Sequence, residues 1–193
     1  MTWLEPIELH GKYAFLQPLS HRHHNDLAEA ASDGELWKLW YTFVPEPSKM
    51  MDAINQRLTL QESGSMIPFA VIEPKTNKAV GITTYLNIDC EHRRLEIGGN
   101  WYRKSVQRTA LNTECKLMML TYAFETLNCI AVEFRTHFFN EQSRKAIERI
   151  GAKLDGILRN HMIMPNNTLR DTCVYSIIAS EWPTVKAHLK SAL

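Results

Sequence analysis

Tyr102-Arg103-Lys104-Ser105-Val106-Gln107-Arg108-Thr109-Ala110-Leu111-Asn112-Thr113 is a polar, basic run between a strand-like and a helix-like segment. Such a junction suits anions. The unpaired N–H groups of a first helical turn, the positive end of its dipole and the Thr113 hydroxyl, with Arg103, Lys104 and Arg108, can together hold a pyrophosphate. Every strand–turn–helix junction offers similar donors, so a purely structural role fits these residues equally. One other group suits proton transfer. His137 titrates near neutrality and alternates along a strand with Glu133 and Arg135, although a lone strand histidine also serves structure. Glu96 lies on a strand just before Gly98-Gly99 and by itself reads as a surface strand residue or an ion partner of Arg94 or Arg135. Trp37, Trp40, Tyr41 and Phe43 concentrate aromatic area that fits a substrate pocket, a core or a dimer contact. His21-Arg22-His23-His24 invites a metal reading, but consecutive helical histidines diverge, and no metal is expected.

The elements that must position these residues are readable from caps and periodicity. Tyr13 to Leu16 reads as a short strand, Ser20 as the cap of a helix closed by Asp33-Gly34, and Ser48 as the cap of a helix from about Lys49 to Glu62. Ile67–Ile72 and Ala79–Ile88, joined by a polar turn, read as an antiparallel hairpin. Arg93 to Tyr102 is a further strand, with Leu95 and Ile97 on one face, Glu96 on the other, and Gly98-Gly99 marking a bulge. Leu117, Leu120, Phe124 and Leu127 recur at helical spacing from Thr113 to about Asn128. Val132 to Phe138 alternate as a strand, Asn140 caps a helix ending at Gly151, and two strands, Lys153–Met162 and Asp171–Ile178, precede a terminal helix. The fold class is α/β (α+β): one domain over residues 1–193, with a central mixed, mostly antiparallel sheet of about seven strands flanked by helices.

With 193 residues, 45% hydrophobic and 22% charged, the chain can bury a substantial core, and a net charge of +1 gives no field for gripping nucleic acid. The four cysteines fall singly, as expected of reduced thiols in a cytoplasm. No apolar run approaches a membrane span, so no membrane partner is expected.

Three segments in this order resemble the GNAT superfamily of N-acetyltransferases, particularly its RimJ/RimL-like branch. They are Arg94-Leu95-Glu96-Ile97-Gly98 with Trp101, the Gln107–Thr113 turn, and Asn140-Glu141-Gln142-Ser143 followed by Ile150-Gly151-Ala152. The family turn runs Gln/Arg-x-x-Gly-x-Gly/Ala. Gln107 fits it, Ala110 replaces the first glycine, and Asn112, able to cap or to adopt a left-handed conformation, takes the second small position. The resemblance implies acetyl-CoA as cosubstrate, with its phosphates on main-chain donors around Val106, Gln107, Arg108, Thr109, Ala110, Leu111, Asn112 and Thr113. Asn140 and Ser143 would face the pantetheine arm. It implies Glu96 as general base, His137 as the alternative, and an acceptor pocket built from Trp37, Trp40 and Tyr41. The acceptor would be a primary amine on a small molecule or a protein N-terminus, and a homodimer is compatible with it. Ile147 stands where the family often has a proton-donating tyrosine, which leaves Ser143, Tyr102 or water for that task. The altered turn and missing tyrosine also fit an inactive CoA-binding or regulatory protein.

Overall fold

A polar turn after Glu73 folds β3 (Met66–Glu73) onto β4 (Lys78–Asp89), and this hairpin lies inside the sheet, away from both edges. The computed structural model describes residues 3–193. Ahead of the hairpin come β1 (Leu9–His10), β2 (Phe15–Pro18), α1 (His24–Ser32) and α2 (Met50–Glu62). After it come β5 (Arg94–Tyr102), α3 (Ala110–Thr121), β6 (Ala131–His137), α4 (Glu141–Arg149), β7 (Lys153–Ile163), β8 (Leu169–Ile178) and α5 (Trp182–Ser191). Among the described residues the sheet has eight strands in the order β1-β2-β3-β4-β5-β6-β8-β7. β5 and β6 run parallel and the other neighbours antiparallel. The strand beyond the expected seven is β1, whose two residues are too short to show a period.

Alternation along the strands divides the core in two. Phe69, Leu95, Ile97, Val132, Phe134 and Tyr175 face α3, α4 and α5, meeting Leu111, Cys115, Met119, Ile147, Trp182 and Leu189. Ala70, Ile72, Ile82 and Trp101 face the other way, against Leu27 and Ala31 of α1 and Met50 and Ile54 of α2. On that second face α1 and α2 cover β3 and β4, while the outer strand β7 is exposed along its length.

Caps set the helix limits that matter to function. Asn140 accepts the Ser143 N–H at 3.1 Å and so starts α4, and Gly151, with φ +96°, lets the chain leave it. α3 differs from the sequence reading. Its cap is Thr109, whose hydroxyl accepts from the Leu111 N–H at 3.3 Å and donates to the Val106 carbonyl at 2.7 Å. Thr113 therefore lies inside the helix, buried, with its hydroxyl accepting from Arg149 at 3.2 Å. The helix passes into a π-helical turn over Tyr122–Thr126.

α3 also anchors the start of the chain. The buried Glu114 carboxylate accepts the N–H groups of Lys12, Tyr13 and Ala14 at 2.8, 2.6 and 2.9 Å. Gly11 lies so close that a β-carbon there would stand 2.3 Å from Glu114 Oε2.

Candidate active site

The parallel ladder between β5 and β6 is short: Arg94, Leu95 and Glu96 pair with Ala131, Val132 and Glu133. Beyond Glu96 the strands part, β5 continuing to Tyr102 and β6 to His137, and a wedge opens in the sheet. Backbone groups freed there need other partners, which makes the wedge a place for an extended ligand. The N-termini of α3 and α4 stand together at its mouth, where Gln142 Nε2 donates to Gln107 Oε1 at 3.3 Å.

The wall formed by β5 carries the expected bulge. Ile82 pairs with Trp101 and Thr84 with Gly98, which leaves an extra residue on β5, and Gly99 takes φ +59°. Arg57 of α2 reaches this spot and donates to Thr84 Oγ1 at 3.1 Å. From the opposite face Asn100, with its amide oxygen assigned toward α3, accepts from Lys116 Nζ at 3.2 Å and donates to the Gly98 carbonyl at 3.1 Å.

The turn before α3 fits a pyrophosphate. Gln107 Nε2 donates to the Tyr102 carbonyl at 2.9 Å and braces the loop. The left-handed residue is Arg108, with φ +62°, and not Asn112, which is helical. Ala110 is the first helical residue, so its β-carbon meets no conformational penalty. Among the described residues the N–H groups of Arg108 and Thr109 donate to no other protein group, and they adjoin the open first turn of α3. Ser143 sits in the first turn of α4 with its N–H on the Asn140 cap.

Glu96 is 6% exposed on the face that α2 shares. Its carboxylate accepts from Asn87 Nδ2 at 2.7 Å and lies 3.6 Å from Arg135 Nε. Burial pushes its pKa above the ordinary carboxylate value, and the Arg135 charge and the Asn87 hydrogen bond oppose the rise. Gly98 makes room for it, since a β-carbon there would stand 2.5 Å from Glu96 Oε1. Arg135 is shared with Glu133, which also pairs with Arg94 at 2.6 Å.

His137, 2% exposed, accepts the Phe139 N–H on Nδ1 at 3.1 Å. Burial and the nearby Arg170 charge hold its pKa below the usual value, so it is neutral at pH 7, with its proton on Nε2. The aromatic segment lies over it, the Trp40 ring edge-on at 5.1 Å and Tyr41 at 6.4 Å. Phe43 packs on the Arg170 guanidinium at 5.7 Å. Trp37 is placed elsewhere, beneath Lys38 at 5.2 Å. Sequence reasoning missed Arg57, Arg170 and Lys116; the alternation of Arg170 with Thr172 was the only local sign for any of them. Ile147 is buried in the core, and the Tyr102 hydroxyl is buried without a hydrogen-bond partner. Among the described residues no cluster of potential metal ligands occurs, and no helix is long and apolar enough to cross a membrane.

A sheet parted beside a buried glutamate, with a turn of free N–H groups at its mouth, defines a class, and comparison with known proteins agrees. Residues 14–153, more than half of the chain, match the acetyltransferase (GNAT) domain family. The chain belongs to the GNAT acetyltransferase family and is an N-acetyltransferase. It is 32% identical over 102 residues to a Bacillus subtilis (strain 168) protein, YdaF, whose name proposes a ribosomal N-acetyltransferase; the match spans 53% of this chain and 55% of that one. A GCN5-related N-acetyltransferase from Brucella melitensis superposes with a TM-score of 0.86 at 27% identity, over 97% of this chain and 86% of that one. Mycobacterium smegmatis RimJ, solved with CoA-disulfide, shares the fold with a TM-score of 0.77 at 20% identity, over 93% and 88% of the two chains. These relatives agree with the RimJ/RimL-like resemblance read from the sequence.

Proposed function

We propose that this chain transfers the acetyl group of acetyl-CoA directly to a primary amine in a ternary complex, with Glu96 as the general base. The observation that carries the reading is the parting of β5 from β6 immediately beyond Glu96, with the α3 turn at the mouth of the opening. The phosphates would rest on the N–H groups from Val106 to Asn112, near the Arg108 side chain, with Asn140 and Ser143 toward the pantetheine arm. Thr113 would act on this site only through the helix it belongs to. Bound in the wedge, acetyl-CoA supplies a thioester whose C–S bond is exchanged for a C–N bond to the amine.

The protein's own residues then have defined tasks. An amine attacks only when neutral, and Glu96, with its raised pKa and its position beside the bulge, accepts the proton. The bulge at Gly98–Asn100 presents main-chain N–H groups that can polarise a carbonyl without reorganising. Trp40 and Tyr41 wall the acceptor side over His137. His137 is the weaker base, because the ring nitrogen lacking a proton is already engaged by Phe139. The name of YdaF points to a ribosomal acceptor, and a small-molecule amine fits the same chemistry.

Calorimetric titration with acetyl-CoA and CoA, followed by thiol-release assays across amines, tests this. Saturable binding and turnover are expected. Glu96→Gln should cost on the order of 10²–10⁴ in kcat while leaving CoA affinity in place, and unchanged turnover would remove Glu96 from the role.

A further inference from the structure

We propose that the acceptor carries a carboxylate near its amine, received by the Arg170 guanidinium and the Nε2–H of His137 beneath the Trp40–Phe43 segment. The proposal rests on the transferase reading above and names the substrate class of that site.

Arg170 begins the argument. It is 8% exposed, and its one hydrogen bond among the described residues is from Nε to Thr172 Oγ1 at 2.9 Å. It enters no ion pair there, and its neighbour Asp171 is taken by Arg159 and the Asn160 N–H. Phe43 covers one face of the guanidinium, while the two terminal nitrogens keep a fork suited to two oxygens. A buried charge without an ion-pair partner is costly, and a ligand anion seated against it would offset that cost.

His137 supplies an independent observation. Because Nδ1 accepts from Phe139, the neutral ring can only donate at Nε2, and that nitrogen is buried with no partner. Thr172 lies opposite His137 in the β6–β8 ladder, and Arg170 is two residues before Thr172, so all three share a sheet face. Glu96 is on that face too, and the Arg170 charge acts on both Glu96 and His137. Arg57, also outside every ion pair among the described residues, adds a second unmatched cation at the bulge. A simple ammonium is repelled by such a surplus, whereas an amine with its own carboxylate neutralises it. The carboxylate can be that of a free amino acid or an acidic side chain next to a peptide N-terminus.

The test uses matched probes on the whole 193-residue chain saturated with CoA. One arm pairs each common L-amino acid with its carboxamide; the other pairs the peptide Ala-Glu-Ala-amide with Ala-Gln-Ala-amide. Each is titrated by calorimetry, and thiol release from acetyl-CoA is followed in parallel. In one arm the acid should bind about tenfold or more tightly than its neutral partner. Which arm does so identifies the source of the carboxylate. Arg170→Gln should raise KM for the acid and collapse the gap to about threefold or less, with kcat much less affected, and Arg170→Lys should restore part of it. His137→Gln, which keeps a donor near Nε2, should retain more of the preference than His137→Leu. Unchanged CoA affinity in each variant certifies folding. Acids and amides that bind alike, or a preference that survives Arg170→Gln, would overturn the inference while turnover upholds the transferase. Absence of both CoA binding and thiol release would overturn the two together.

Discussion

Replacing Lys116 with methionine removes a charge that the fold holds at a cost. Lys116 lies on α3, 5% exposed, with no acidic partner among the described residues; its ammonium reaches Thr83 Oγ1 at 3.4 Å, the Asn100 amide at 3.2 Å and the face of the Tyr102 ring at 6.0 Å. Burial lowers its pKa from 10.5 to about 8. Below pH 8 both folded and unfolded chains carry the proton, and the folded state bears the full penalty, about 3 kcal/mol. Between pH 8 and 10.5 the unfolded chain binds more protons than the folded one, so this residue makes stability rise with pH. From pH 7 to pH 10 the rise attributable to Lys116 is on the order of 2–3 kcal/mol. Urea unfolding of wild type and Lys116→Met at pH 7, 8, 9 and 10 measures it, because other titrating groups cancel in the difference. At pH 7 the methionine variant gains from losing the buried charge, and Asn100, an exposed residue, can turn its freed oxygen to water, so the variant should be no less stable than wild type. The difference in slope is the decisive quantity. Parallel stability profiles for the two proteins would refute the reasoning.

Three further substitutions probe other parts of the molecule. Gly98→Ala forces a β-carbon to 2.5 Å from Glu96 Oε1 and 2.8 Å from Leu86 Cδ1, and thermal melts should show a loss of about 1–3 kcal/mol, with turnover falling more steeply than CoA affinity. Glu114→Gln leaves an amide where three N–H groups converge on a carboxylate, and denaturant titration should report a loss of about 3 kcal/mol. Arg108→Gly relieves a left-handed backbone at φ +62° worth about 1 kcal/mol and removes a cation from the phosphate turn, so the protein should melt no lower while calorimetry finds weaker CoA binding.

Elements whose signals are local were legible from the residues alone. The Asn140 cap fixed the start of α4, the polar turn before Lys78 fixed the β3–β4 hairpin, and Gly98-Gly99 marked the bulge where it lies. The start of α3 was misplaced because Thr109 and Thr113 are both acceptable caps, and the choice depends on Val106 folding back to accept the Thr109 hydroxyl. For the same reason the left-handed position fell on Asn112 in the sequence and falls on Arg108 in the structure. Ser20 proved to precede a short 3-10 turn over His21–His23 before α1 begins. The charged rim of the site was the least legible part. Arg57, Arg170 and Glu96 come from α2, β8 and β5, and nothing local says that the two arginines go without an ion pair.

The clamp at Glu114 links distant parts of the chain in time as well as in space. The amides of Lys12, Tyr13 and Ala14 all end on one carboxylate carried by α3, so they can meet solvent deuterium only when that carboxylate lets go. Their exchange should slow when α3 and its Glu114 side chain are held more firmly, although they lie about a hundred residues earlier in the chain. If acetyl-CoA seats on the α3 N-terminus as proposed, that slowing is the expected outcome of adding it. Three amide resonances near the start of the chain thereby become a clock for events at the phosphate turn.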